Sequence, residues 1–254
     1  MEDIIVTYLE KPVLKEPILV EGLPGVGNVG KLAAEHLVQQ LNAKKFAVIF
    51  SKYFPPQVLV QDNGVIKLVC NELYYVKAKT KEQHDLILLV GDYQGLTPEG
   101  QYELSDRIIN IAQEFGVKKI FTLGGYGVGR IVEKPCVLGA ATDRELVEEM
   151  KKHNVVFAKG EPGSGIVGAS GLLLGLGLIR DLRSVCLMGE TSGYYADPKS
   201  AKAVLEVITK ILNLKINYDA LDEKAEQLEK VKAQVREVEM ALTQPAKDDL
   251  QYIG

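Results

Sequence analysis

Short, β-branched apolar runs recur along this chain and alternate with stretches of helical periodicity, and that alternation allows few architectures. Residues 18–20, 47–50, 58–60, 66–70, 86–90, 120–123, 137–140, 155–157 and 185–188 read as strands. Residues 29–40, 98–115, 143–153, 166–176 and 198–212 read as helices. The result is an α/β fold, a layered mixed or largely parallel sheet flanked by helices. Many of the strand runs are apolar at consecutive positions, as strands covered on both faces require. Gly116 and Asn154 stand where helix C-termini want a left-handed residue, while Thr97 and Thr142 stand where N-caps belong. The region 47–76, with Pro55, Pro56 and the turn Asp62-Asn63-Gly64, reads as strands and hairpins inserted between two βα units.

Charge and composition remove several classes of function. Thirty basic residues against thirty-four acidic ones leave a formal charge of −4, with no Lys/Arg block to track a phosphate backbone, so nucleic acid is not an expected partner. The most apolar run, 166–179, falls short of the roughly twenty residues that a membrane span needs. The start, MEDIIVTYLEKP, is acidic and has no secretory apolar region, so a soluble, cytoplasmic protein is expected. Cys70, Cys136 and Cys186 are widely separated and odd in number, which fits neither a disulfide framework nor a CxxC metal site. They read as buried thiols.

Beyond residue 214 the pattern changes. Residues 219–242 contain neither glycine nor proline. Leu221, Leu228, Val231, Val235, Val238 and Leu242 occupy a and d heptad positions, and only Lys224 breaks the seam. At 1.5 Å per residue such a helix extends about 36 Å. Ala225, Gln227, Gln234 and Ala241 widen the neutral stripe beside the seam, which favours bundling with more than one neighbour. The helix reads as an oligomerisation element; the alternative is that it folds back on its own domain. A polar tether with Pro245 follows, then Leu250-Gln251-Tyr252-Ile253-Gly254, an apolar end with no packing surface of its own that suits docking elsewhere. The expected organisation is an α/β core over 1–213, an oligomerisation helix over 214–243 and a flexible tail over 244–254.

Three glycine clusters carry the candidate sites. Gly25-Val26-Gly27-Asn28-Val29-Gly30 matches G-x-G-x-x-G between a strand and a helix, yet Ser51 and Lys52 stand where a dinucleotide site needs an acidic residue. Lys31 is followed by Leu32, not the Ser or Thr of a P-loop. The main reading of this cluster is a tight turn that lets the helix pack close to the sheet. Gly124-Gly125-Tyr126-Gly127-Val128-Gly129-Arg130 reads as a crossover loop with a solvated arginine; the alternative is an anion site at Arg130. In the cluster over 160–177, Gly171 and Gly175 lie one helical turn apart and allow close helix packing. Gly163-Ser164-Gly165 offers an oxyanion-type loop, but Pro162 spoils the hydrolase elbow. His36, His84 and His153 lack metal-ligand spacing, and no metal or cofactor is expected. Asp92 and the segment Glu190-Thr191-Ser192-Gly193-Tyr194-Tyr195 are placed on the sheet edge where α/β proteins hold ligands.

Taken in order, Gly22-Leu23-Pro24-Gly25-Val26-Gly27-Asn28-Val29-Gly30, Leu123-Gly124-Gly125-Tyr126 and Gly165-Ile166-Val167-Gly168-Ala169-Ser170-Gly171-Leu172 resemble the proteasome assembly chaperone 2 family, in its archaeal branch. The resemblance covers about 15–212. It implies a fold similar to the nucleoside phosphorylases without their catalytic set, and therefore no enzyme. It implies an oligomeric, ATP-independent chaperone or activator that binds the proteasome core particle or its α subunits, as a homo-oligomer or with a paralogous family member. Tails of such proteins end in hydrophobic-Tyr-any, and the tyrosine and terminal carboxylate enter a pocket between α subunits. Here Tyr252 is third from the end and Ile253 penultimate, one place out of register. Leu250, Tyr252, Ile253 and Gly254 are the implied partner contacts. The competing reading is a phosphorylase-like enzyme or a nucleotide- or nucleoside-binding protein, using Gly25, Gly27, Gly30, Arg130 and Glu190.

Overall fold

The computed structural model describes residues 2–157 and 165–243, with 232–243 as backbone only. Ten strands and six helices follow one another as β1 (Ile4–Tyr8), β2 (Ile18–Gly22), α1 (Val29–Gln40), β3 (Lys44–Ser51), β4 (Val58–Val60), β5 (Ile66–Leu68), β6 (Asn71–Val76), β7 (Leu86–Gly91), α2 (Pro98–Glu114), β8 (Lys119–Gly127), β9 (Val137–Ala141), α3 (Arg144–Lys151), α4 (Ala169–Ile179), β10 (Arg183–Thr191), α5 (Pro198–Ile211) and α6 (Asp219–Thr243) among the described residues. Eight strands form one sheet in the order β1-β3-β6-β7-β2-β8-β10-β9. Its centre, β7-β2-β8-β10, is parallel, and antiparallel strands flank it on both sides. β4 and β5 make the separate hairpin expected within 47–76.

The apolar runs explain this order. β2 and β7 are buried at every position, so they must sit centrally with helices on both faces. Alternate residues feed two cores. Val20, Leu88, Phe121 and Val185 meet Val29 and Leu37 of α1 and Val204 and Ile208 of α5. Leu19, Ile87, Leu89 and Ile120 meet Leu104 and Ile108 of α2 and Leu173 of α4. The helix ends follow their caps. The Thr97 hydroxyl accepts from the Gly100 amide at 3.1 Å, and Gly116 and Asn154 adopt φ of 81° and 62°.

Several expectations are corrected. Asp143, not Thr142, caps α3, its carboxylate accepting from the Leu146 amide at 2.8 Å. The 155–157 run makes only an isolated bridge, Val156 to Leu138, on the edge of β9 away from β10. The helix expected over 166–176 runs from Ala169 to Ile179, since Gly168 at φ 87° lies outside helical space. β1 was not anticipated; it pairs antiparallel with β3 at the sheet edge. Cys70 and Cys186 are buried as expected, but Cys136 is exposed.

Candidate functional site

The strands β2, β8 and β10 end side by side, and the glycines of the first two clusters let the backbones there come into contact. A β-carbon on Gly22 would strike the carbonyl of Gly30, one on Gly30 the carbonyl of Leu123, and one on Gly125 the carbonyl of Val26. The G-x-G-x-x-G turn is therefore a joint that seats the start of α1 on β2 and β8. Gly27 is buried at φ 61° against Thr191, and its carbonyl accepts from the Asp197 amide at 2.8 Å. The Thr191 hydroxyl in turn donates to the Asp197 carboxylate at 2.8 Å.

A cleft of about 410 Å³ opens beside this joint, and all three glycine clusters reach it. Leu23, Leu123, Ile166 and Met188 supply aliphatic wall, while Gln101 and Tyr126 stand on its polar side. None of the described residues lining it carries a formal charge. Behind the wall, Glu21 is fully buried in β2. Its carboxylate accepts from the Leu23 amide at 2.8 Å and from the Ser170 hydroxyl at 3.0 Å. Burial pushes this carboxyl up to about 7, against the pull of those two donors. Gln94 joins the two loops that form the mouth: its Nε2 donates to the Pro24 carbonyl at 2.7 Å, and its Oε1 accepts from the Ala169 amide at 2.9 Å. Burial also drives the Cys186 thiol pKa upward, which favours the neutral thiol in the cleft wall.

The candidate ligand residues do not gather into one site. Gly25 lines the cleft, whereas Gly27 and Gly30 are closed within the joint. Arg130 is exposed and is not among the residues lining the cleft. Glu190 lies within β10, where its carboxylate accepts from the Cys136 amide at 3.2 Å and holds the approach to β9. Asp92 accepts from the Cys70 amide at 3.0 Å and pairs with Lys67 at 3.3 Å, a structural tie at the end of β7. Among the described residues no group of His, Cys, Asp and Glu is placed to hold a metal, and no helix is long and apolar enough to cross a membrane. Gly163 and Ser164 lie outside the described residues, as do Leu250, Tyr252, Ile253 and Gly254. Gln94 and the Glu21–Ser170 pair escaped sequence reasoning, because neither a lone loop glutamine nor a strand glutamate carries a spacing signal.

The long helix divides along its seam. Leu221 is 1% exposed and belongs to the chain's own core with α5, and Ala225 is 8% exposed, so the fold-back alternative holds for the first turns of α6. The ion pair Lys202–Asp222, at 2.8 Å, fastens the same turns. Leu228 is half-buried and Val231 is 54% exposed. Val235, Val238 and Leu242 continue along the helix, their side chains outside the described residues.

A central parallel sheet with antiparallel flanks, strand-to-helix joints packed on glycine and a long C-terminal helix define one class of α/β protein. The chain belongs to the PAC2 family, whose sequence profile matches residues 19–236. It is 44% identical to Pyrococcus furiosus PbaB, an archaeal proteasome activator, with a TM-score of 0.89 over 93% of this chain and 100% of that one. It is 28% identical to Pyrococcus furiosus PbaA, an archaeal homolog of proteasome-assembly chaperone, with a TM-score of 0.76 over 95% of this chain and 96% of that one. An uncharacterized protein of Methanocaldococcus jannaschii, MJ1210, is 42% identical over 247 residues, covering 95% of this chain and 93% of its own length.

Proposed function

We propose that this protein is an oligomeric, ATP-independent binder of the proteasome core particle or its α subunits, acting as an assembly chaperone or activator and not as an enzyme. The observation that carries this reading is the likeness to PbaB, close in sequence and shape over the whole of that chain. The working parts are the α/β core over 1–213, the helix over 214–243 and the tail over 244–254, in a cytoplasmic protein. Copies of the chain, or one copy with a paralogous family member, gather through Leu228, Val231, Val235, Val238 and Leu242. Leu221 is excluded from that set because its own core uses it. Each bundled helix then presents Leu250, Tyr252, Ile253 and the carboxylate of Gly254 beside its siblings. Weak single contacts with a symmetric ring gain strength through effective concentration.

The test is the mass of the full chain by light scattering, alone and mixed with proteasome α subunits, beside a chain lacking 250–254. The full chain should be an oligomer that shifts to a larger complex. The shortened chain should keep its own mass and lose most of the shift. A monomeric full chain would refute the bundle, and an undiminished shift for the shortened chain would refute tail docking.

A further inference from the structure

Glycine costs backbone entropy wherever it is not needed, and most of the described glycines have a visible need. Gly64, Gly116, Gly129, Gly168 and Gly193, like Gly27, adopt positive φ. Gly22, Gly30, Gly91, Gly100, Gly125 and Gly189 have no room for a β-carbon. A β-carbon on Gly177 would press on the Ser184 hydroxyl at 3.2 Å, and five further glycines have neither reason and no contact that tight. A β-carbon on Gly25 or Gly124 would meet nothing closer than 3.9 or 3.8 Å, one on Gly127 would make ordinary contact at 3.4 Å, and one on Gly165 or Gly175 would stand in open space. Four of the five, Gly25, Gly124, Gly127 and Gly165, line the same cleft. They come from three separate segments, so no single turn or helix accounts for them.

Their common property is bare backbone facing one cavity, the arrangement that lets a ligand lie against peptide groups. The sheet order places the cavity where α/β sheets hold ligands. Connections from β2 and β7 leave to opposite sides, and the crevice lies beyond the carboxyl ends of β2, β8 and β10. Its volume, about 410 Å³, falls in the small-molecule range of roughly 300–1,000 Å³. Its lining sets the chemistry. Among the described residues that line it no side chain is charged, so none of them neutralises a phosphate or carboxylate. The aliphatic wall of Leu123, Ile166 and Met188 suits a flat apolar face, and the peptide groups, the Tyr126 hydroxyl and the amide oxygen of Gln101, whose nitrogen donates to the Gly95 carbonyl at 2.7 Å, suit a hydrogen-bonding edge.

We propose that this cleft binds an uncharged, planar heterocycle with a hydrogen-bonding edge. The site differs from the proteasome contacts proposed above, and of the candidate ligand residues Gly25, Gly27, Gly30, Arg130 and Glu190 it uses only Gly25.

Saturation-transfer NMR and thermal shift on the full chain test it, with adenine, adenosine, thymidine and nicotinamide as neutral probes and AMP and nicotinate as their charged counterparts. At least one neutral probe should bind, and its charged counterpart should bind about tenfold more weakly or not at all. Gly25→Leu, whose β-carbon would meet nothing closer than the Gln94 amide at 3.9 Å, and Gly165→Leu, whose β-carbon would meet no described atom within 4 Å, should keep the unliganded melting temperature and lose about tenfold or more in affinity for that probe. Gly175→Ala, at the one glycine of the five outside the cleft, should bind as the unaltered chain does. Failure of every neutral probe to bind would overturn the proposal, as would equal binding of the charged counterparts or undiminished binding by both leucine variants.

Discussion

Ser170 and Glu21 stand 149 residues apart and meet in a 3.0 Å hydrogen bond inside the protein, the hydroxyl at the start of α4 donating to a carboxylate at the centre of the sheet. The Thr122 hydroxyl donates to the Ser170 carbonyl at 3.3 Å, so β2, β8 and α4 are fastened at one point behind the cleft. A carboxylate without solvent is costly even with two donors, which is why burial holds the Glu21 proton up to about 7.

Stability is expected to carry the mark of that proton. The carboxyl titrates near 4.5 when exposed and near 7 in the folded chain, so the native state retains the proton longer. Its stabilising contribution is complete below pH 4.5 and lost as pH rises through 7, a change of about 3 kcal/mol. Glu21→Gln keeps the shape and removes the titration. Urea denaturation of both chains between pH 5 and 8 should show the variant gaining on the unaltered protein as pH rises. Parallel curves would disprove the assignment.

Glycines of the joint and of the open helix face should respond in opposite directions. Gly30→Ala drives a methyl into the Leu123 carbonyl and is expected to cost about 1–3 kcal/mol. Gly175→Ala meets nothing and relieves a flexible site within α4, for a gain of about 0.5–1 kcal/mol. Denaturant midpoints measure both, and a neutral Gly30→Ala would show that the joint yields.

The seam of α6 should divide by function. Leu221→Ala opens a cavity between α5 and α6 and should cost about 2–5 kcal/mol. Leu228→Asp and Val235→Asp should lower the mass by light scattering while the core keeps its melting temperature. Loss of core stability in the Asp variants, with mass unchanged, would place those side chains in the core instead.

Proteasome capture should depend on the oligomer as well as on the tail. With the tail intact, Leu228→Asp is expected to weaken capture by about 10²–10⁴, the range that effective concentration supplies. Surface plasmon resonance on immobilised core particle reads this directly. Equal affinity of the Asp variant would mean that a single tail suffices.

Most of the fold was legible because it rests on local pattern. Apolar runs such as 86–90 are too continuous for an edge strand, and Thr97 and Gly116 mark helix ends through backbone chemistry that neighbours in sequence decide. Legibility failed where a partner outside the local window decided the outcome. β1 is a strand because β3 offers it an edge, and 155–157 is barely one because its contact with β9 is a single bridge, Val156 to Leu138.

The candidate site divides in the same way. The order of residues alone determined that three glycine clusters exist and that each follows or precedes a regular element. Which glycines are joints and which line a cavity was settled by tertiary structure, since the difference lies in whether a carbonyl from a distant segment occupies the place of the missing β-carbon. The fate of Leu221 was decided there too. A heptad position records only that a side chain is apolar, while its partner depends on where α5 stops and how the chain returns past it.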